Sequence, residues 1–137
     1  MLNKLNEARN AQLSTDADSS ESGFSLIELL VVVLIIGILS AIAIPIFLGQ
    51  QNQAKDSAAK SDLANAKVAM VSYEVSNNGA FATTVASLTN FGFVQTDGVT
   101  VTIPTTTATA FCIQAVAATG NIFHVTSSAG VAPAACP

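Results

Sequence analysis

Residues 24–47, FSLIELLVVVLIIGILSAIAIPIF, form an almost unbroken apolar run directly after the polar, acidic stretch SSESG. As a helix the run would be about 36 Å long, enough to cross a hydrocarbon layer of about 30 Å. A helix that is apolar on all sides has to lie in lipid or inside an apolar protein core. The run nevertheless carries a carboxylate, Glu28, close to its start. On insertion scales a carboxylate in mid-span is unfavourable by about 2.5–3.5 kcal/mol, so such a group calls for a function and a partner. The plainer alternative is that Glu28, so near the start, snorkels to the headgroups.

Downstream, residues 48–79 (LGQQNQAKDSAAKSDLANAKVAMVSYEVSNNG) are Ala-rich and amphipathic. Ala59, Leu63, Ala66, Met70 and Tyr73 recur at spacings of four and three, which is one stripe of a helix. Asp56 and Lys60 stand four apart with the acid first, a surface pair contributing a few tenths of a kcal/mol. Asn77, Asn78 and Gly79 then supply the left-handed residue that ends helices. Pro45 is the strong breaker between the two stretches, so one long helix is expected, with a bend or local disruption near Pro45.

Residues 80–137 change character towards Thr, Val, Ala and Gly. TVASLTNFG allows a short helical turn. VTVTIP (99–104) alternates cleanly, with Val99, Val101 and Ile103 on one face, and Asp97-Gly98 before it is a hairpin signal. AFCIQAVA (110–117) and NIFHVTS (121–127) read as two further strands joined by the turn residues ATGN. One face of such a sheet would pack on the Leu63, Met70 and Tyr73 stripe, and the Thr-rich face would meet water. The expected fold class is α+β: a long N-terminal helix, apolar and then amphipathic, on a small antiparallel sheet of three to four strands. The zones are 1–23, 24–47, 48–79 and 80–137. The first, MLNKLNEARNAQLSTDADSSESG, offers little apolar surface and is expected to be disordered or weakly helical.

Composition narrows the function. Only 10% of the 137 residues are charged, and after Glu74 the only side chain charged at neutral pH is Asp97. A net charge of −4 provides no basic footprint, so direct nucleic-acid binding is not expected. Two cysteines, one His124 and no acidic cluster cannot furnish a closed metal site at recognisable spacing. No phosphate loop, paired carboxylates or nucleophile with a base appears, so neither an enzyme nor a cofactor is expected, and His124 reads as an ordinary strand residue. Cys112 and Cys136 form a disulfide if this part of the chain is exported; the alternative is two free, buried cysteines. The bridge is the expected state, because both residues fall on the exported side in every reading below.

The segment G|FSLIELLVVVLIIGILSAIAIP resembles the N-terminal signature of type IV prepilins, with Gly23, Phe24, Glu28 and Pro45 matching in identity and spacing. The amphipathic stretch is similar to the second half of a pilin helix, and the last zone matches by architecture and its C-terminal cysteine pair. The resemblance implies cleavage between Gly23 and Phe24 by a prepilin peptidase, followed by N-methylation of Phe24. It implies a single-span membrane precursor with its β domain outside. An assembly platform and a cytoplasmic ATPase would extract it into a homo-oligomeric helical filament on the bacterial surface. In the family the glutamate pairs with the N-terminal amine of a neighbouring subunit, which assigns Glu28 to subunit register. The segment from Gly37 to Pro45 would either kink or lose helix in the filament.

Two features depart from the pattern. The leader is long and net acidic, with Asp16, Asp18 and Glu21 near the cut against only Lys4 and Arg9, which weakens a positive-inside argument. The last zone is nearly uncharged and offers no clue to a receptor. A pseudopilin of a type II secretion or competence apparatus shares the first segment; residues after Asp97 contain no acid to hold the calcium such subunits commonly carry. A secreted protein cut after Ala41-Ile42-Ala43 is the remaining class, and Glu28 and the acidic leader speak against it.

Overall fold

The computed structural model describes residues 23–137, so the expectation for residues 1–22 lies outside the described residues. Its elements are α1 (Leu26–Ser76), α2 (Val85–Thr89), β1 (Thr100–Thr106), β2 (Phe111–Val116), β3 (Ile122–Thr126) and β4 (Ala132–Pro133). The strands form one antiparallel sheet in the order β1-β2-β3-β4. The fold is α+β, a long N-terminal helix with a four-stranded antiparallel sheet.

α1 runs as one helix through Pro45, in line with the single long helix expected. A proline withdraws one N–H, here from the Ala41 carbonyl, while the bonds on either side continue. The chain divides into two compact units, residues up to Ile42 and Ala43–Pro137. In the first, every large apolar side chain from Leu26 to Ile42 is exposed, and none of the most apolar window of α1 is buried. α1 is long and apolar enough to cross a membrane.

In the second unit the stripe read from the sequence becomes the core. Ala59, Leu63, Ala66 and Met70 are fully buried, and Tyr73 packs at the margin, edge-on to Phe91 with ring centroids 5.4 Å apart. Facing them are Val101, Phe111, Ile113, Ala115, Phe123 and Val125, the alternate residues of β1 to β3, closed at one side by Leu88 and Phe93. α1 ends where a left-handed residue becomes available. Asn78 has φ 56° and Gly79 φ 87°, and the Gly79 N–H donates to the Glu74 carbonyl at 2.9 Å.

Four local results differ from the sequence reading. Asp97-Gly98 makes a turn, with Gly98 at φ 79°, but among the described residues no strand precedes it to complete a hairpin. The ladder between β1 and β2 slips between Thr102 and Thr105, where Pro104 has no N–H to contribute on this edge strand. The outer face of β2 is not left to water: Cys112 is buried and Gln114 half-buried, because the segment that contains β4 folds back across them. Finally, Asp56 and Lys60 have partners beyond each other. Asp56 accepts hydrogen bonds from Asn121 and Thr119, while the Lys60 ammonium lies 4.9 Å from the centre of the Phe123 ring.

Candidate functional site

Glu28 sits in the first turn of α1 and closes a reciprocal capping box with Ser25. The Ser25 N–H donates to Glu28 Oε2 at 2.9 Å, and the Glu28 N–H donates to Ser25 Oγ at 3.2 Å. Two of the backbone donors that a helix start leaves unpaired are thereby satisfied. The pattern S-x-x-E at 25–28 was visible in the sequence, yet Ser25 was not picked out. Phe24, Ile27, Val31 and Val32 surround Glu28 with apolar surface, and the next charged residue along the helix is Lys55. Glu28 thus retains acceptor capacity, is open to the outside, and has no cation beside it among the described residues of α1. Such a carboxylate can take a further donor from another chain.

Gly23 and Phe24 precede the helix and are exposed, with Phe24 at 82%. A Cβ built at Gly23 or at Gly37 meets nothing within 4 Å. Neither glycine is therefore required by packing inside the chain, and in mid-helix Gly37 is unfavourable by about 1 kcal/mol relative to alanine. Pro45 likewise weakens the helix it sits in. The structure brings Gly23, Phe24 and Glu28 to one end of α1, whereas Gly37 and Pro45 lie further along it.

Cys112 and Cys136 are joined in a disulfide, and the tail is held by two further contacts. The Cys136 N–H donates to Gln114 Oε1 at 3.0 Å, and His124 Nδ1 lies 3.0 Å from the Ala134 carbonyl. His124 is thus a tail anchor.

Two acidic side chains also tie α1 to loops of the β region, through contacts that the sequence reading did not reach. Asp62 is only 2% exposed; it accepts from the Thr96 N–H at 2.8 Å and from Thr96 Oγ1 at 2.7 Å. Asp56 binds the β2–β3 turn through Thr119 and Asn121. The Thr119 hydrogen bond, then that of Asn121, hold the Asp56 carboxyl below its ordinary value, with the nearby Lys60 charge a smaller aid. Because the folded value is the lower one, this contact stabilises fully above the ordinary aspartate range and is lost as pH falls through the lowered value. Unfolding followed from pH 7 to pH 3 should show an acid-side loss that is smaller in Asp56→Ala. Equal losses in both proteins would remove Asp56 as its source.

Comparison with known proteins points in one direction. The family described as the prokaryotic N-terminal methylation motif matches residues 18–44. The chain is 34% identical over 111 residues to the type IV wide pilus major component PilA4 of Thermus thermophilus, covering 80% of this chain and 84% of that protein. It is 61% identical over 41 residues to the type IV major pilin protein PilA of Myxococcus xanthus, covering 30% of this chain and 19% of that one. It is also 42% identical over 57 residues to the type II secretion system core protein G of Pseudomonas aeruginosa, covering 42% of this chain and 40% of that one. The match to PilA4 is long enough to reach the sheet as well as the helix.

Proposed function

This chain belongs to the type IV pilin family, and we propose that it is made as a prepilin, cut between Gly23 and Phe24, and built into a helical filament through its apolar helix. It is the structural subunit of a type IV pilus. The observation that supports this reading best is the first part of α1. It is apolar on every side and unburied, and its one charged group, Glu28, stands one turn from Phe24.

The mechanism follows from where the charges would lie. Before assembly the apolar half spans the membrane, with the β domain on the outer side. Cleavage after Gly23 converts the amide of Phe24 into an amine, which is N-methylated. In a filament core free of water, that ammonium and the Glu28 carboxylate would each be strongly disfavoured alone. Paired between neighbouring subunits, each offsets the desolvation of the other. Buried pairs of this kind often come close to break-even in energy, so their value lies in register. A subunit one step out of place would bury two unpaired charges. A platform in the membrane and a cytoplasmic ATPase would move the subunit from lipid into the filament.

Gly37 and Pro45 fit a second part of this role. Gly37 has open space beside it and Pro45 is exposed, and both weaken the helix between them. We assign Gly37–Pro45 as the stretch that gives way when the helix leaves the membrane and meets its neighbours. The secretion core proteins share similarity over a shorter length, and a pseudopilin role remains the alternative.

The decisive test is the N-terminal residue of the membrane-bound and sheared material. N-methylated phenylalanine at position 24, in a main band of surface filaments seen by electron microscopy, is the expected result. A start at Ile44 would make the chain a secreted protein, and a start at Met1 an unprocessed anchor. Processed Phe24 without surface filaments would favour the pseudopilin reading.

A further inference from the structure

The edge of a β-sheet leaves a row of unpaired N–H and C=O groups, on which another chain can add a strand. β1 is such an edge, bonded to β2 on one side only. Its sequence, TVTIPTT, is rich in residues that favour strands. Many proteins guard an edge with charge, but this sheet has none to use. From Gly98 onward the chain carries no acidic side chain, lysine or arginine.

Strand alternation decides which groups of β1 face outward. The Ser127 N–H donates to the Phe111 carbonyl and the Ala117 N–H to the Asn121 carbonyl, which puts the odd-numbered residues of this strand on the β3 side. The even-numbered ones bond β1, where Val116 pairs with Thr100 and Gln114 with Thr102. The backbone groups of Val99 and Val101 therefore point away from β2, to the edge. There they meet one side chain. Gln95 Nε2 donates to the Val99 carbonyl, and Gln95 Oε1 accepts from the Val101 N–H at 3.4 Å. One amide thus supplies the donor and the acceptor that a residue of an added strand would supply. Further along, the register slips and Pro104 has no N–H, which spoils the edge by other means. At the opposite edge β4 pairs only two residues, one of them Pro133.

We infer that Gln95 is an edge cap: it occupies the place of an added strand along Val99–Val101 and keeps β1 from pairing with the β1 of a second copy. Another β1 is the partner to exclude, because this uncharged segment has nothing to repel its own kind and is the longer of the sheet's two edges. Gln95 is exposed and outside the hydrophobic core, so its amide can be removed without opening a cavity. The cap acts on the folded subunit whether or not that subunit enters a filament.

The test is Gln95→Met in the detergent-solubilised full chain, which keeps the length of the side chain and removes both hydrogen bonds. Over a concentration series, dimers and larger species should rise roughly tenfold above the parent. Gln95→Asn keeps the amide but falls one methylene short of spanning both groups, and should associate in the same way. A photo-crosslinking residue at position 102 should capture a peptide from residues 99–106 of another copy in these variants and not in the parent. Adding Thr100→Lys, a charge on the exposed edge, should return both variants to the parent's level. Association no greater than the parent's, association that Thr100→Lys leaves in place, or crosslinks outside 99–106 would overturn the cap. So would a fall in Tm that unfolds the variants before they associate, because it would make Gln95 a brace of the fold instead.

Discussion

Glu28→Gln is expected to lose filaments about as severely as Glu28→Ala, while only the alanine variant weakens the start of α1. The two substitutions separate two tasks that meet on one side chain. Within the chain Glu28 caps the helix with Ser25. Glutamine occupies the same capping-box position readily, so it leaves that contact in place. Alanine removes it, at a cost of about 1 kcal/mol for a lost cap. Between subunits, in our reading, the carboxylate neutralises a buried ammonium, which glutamine cannot do. Breaking a buried pair by removing one partner costs about 3–5 kcal/mol. At about 1.4 kcal/mol per tenfold, even the lower figure reduces subunit addition by roughly a hundredfold. The measurement is the yield of sheared filaments at matched membrane levels of processed subunit. If Glu28→Gln assembled like the parent and Glu28→Ala did not, Glu28 would be a cap and the charge-pairing role would fall. Ser25→Ala is the complementary control: it removes the cap, keeps the carboxylate, and should still assemble.

What the sequence revealed and what it hid divide along physical lines. The stripe Ala59, Leu63, Ala66 and Met70 was legible because helix periodicity and burial are the same fact seen twice. The three longer strands were legible because alternating β-branched residues were bounded by turn residues. The Gly120 turn, at φ 88°, falls in the ATGN that was read as a turn. Asp97-Gly98 misled because a turn dipeptide specifies a local bend, not the presence of a strand on each side. Continuity through Pro45 was legible because one lost hydrogen bond does not by itself end a helix whose remaining bonds persist. The contacts of Asp56 and Asp62 could not be read at all. Their partners Thr119, Asn121 and Thr96 are far away in sequence, and a charged residue on an amphipathic helix gives no sign of which loop it will meet.

Reduction of the disulfide should lower the stability of the Ala43–Pro137 unit by about 3 kcal/mol, the chain-entropy value for a loop of this order of length. For a domain of this size that corresponds to a fall of roughly 12–24 °C in Tm. The structure says where the loss would begin. The Cys136 tail covers Cys112 and Gln114 on the outer face of β2, and β4 pairs only Ala132 and Pro133 with β3. With so short a ladder, the bridge is what keeps the Cys136 N–H on Gln114 and the Ala134 carbonyl beside His124. Freed of the bridge, the tail should leave first, exposing the outer face of β2 while Phe111, Ile113 and Ala115 remain packed on α1. Two measurements on the detergent-solubilised full chain check this, with and without reductant. Thermal unfolding should show the drop in Tm, and limited proteolysis should show cleavage after residue 127 well below that Tm. An unchanged Tm under full reduction would transfer the anchoring role to the Gln114 and His124 contacts. Cys112→Ser with Cys136→Ser should lower Tm at least as far as reduction does, since it removes the covalent link and also puts a hydroxyl at the buried position 112.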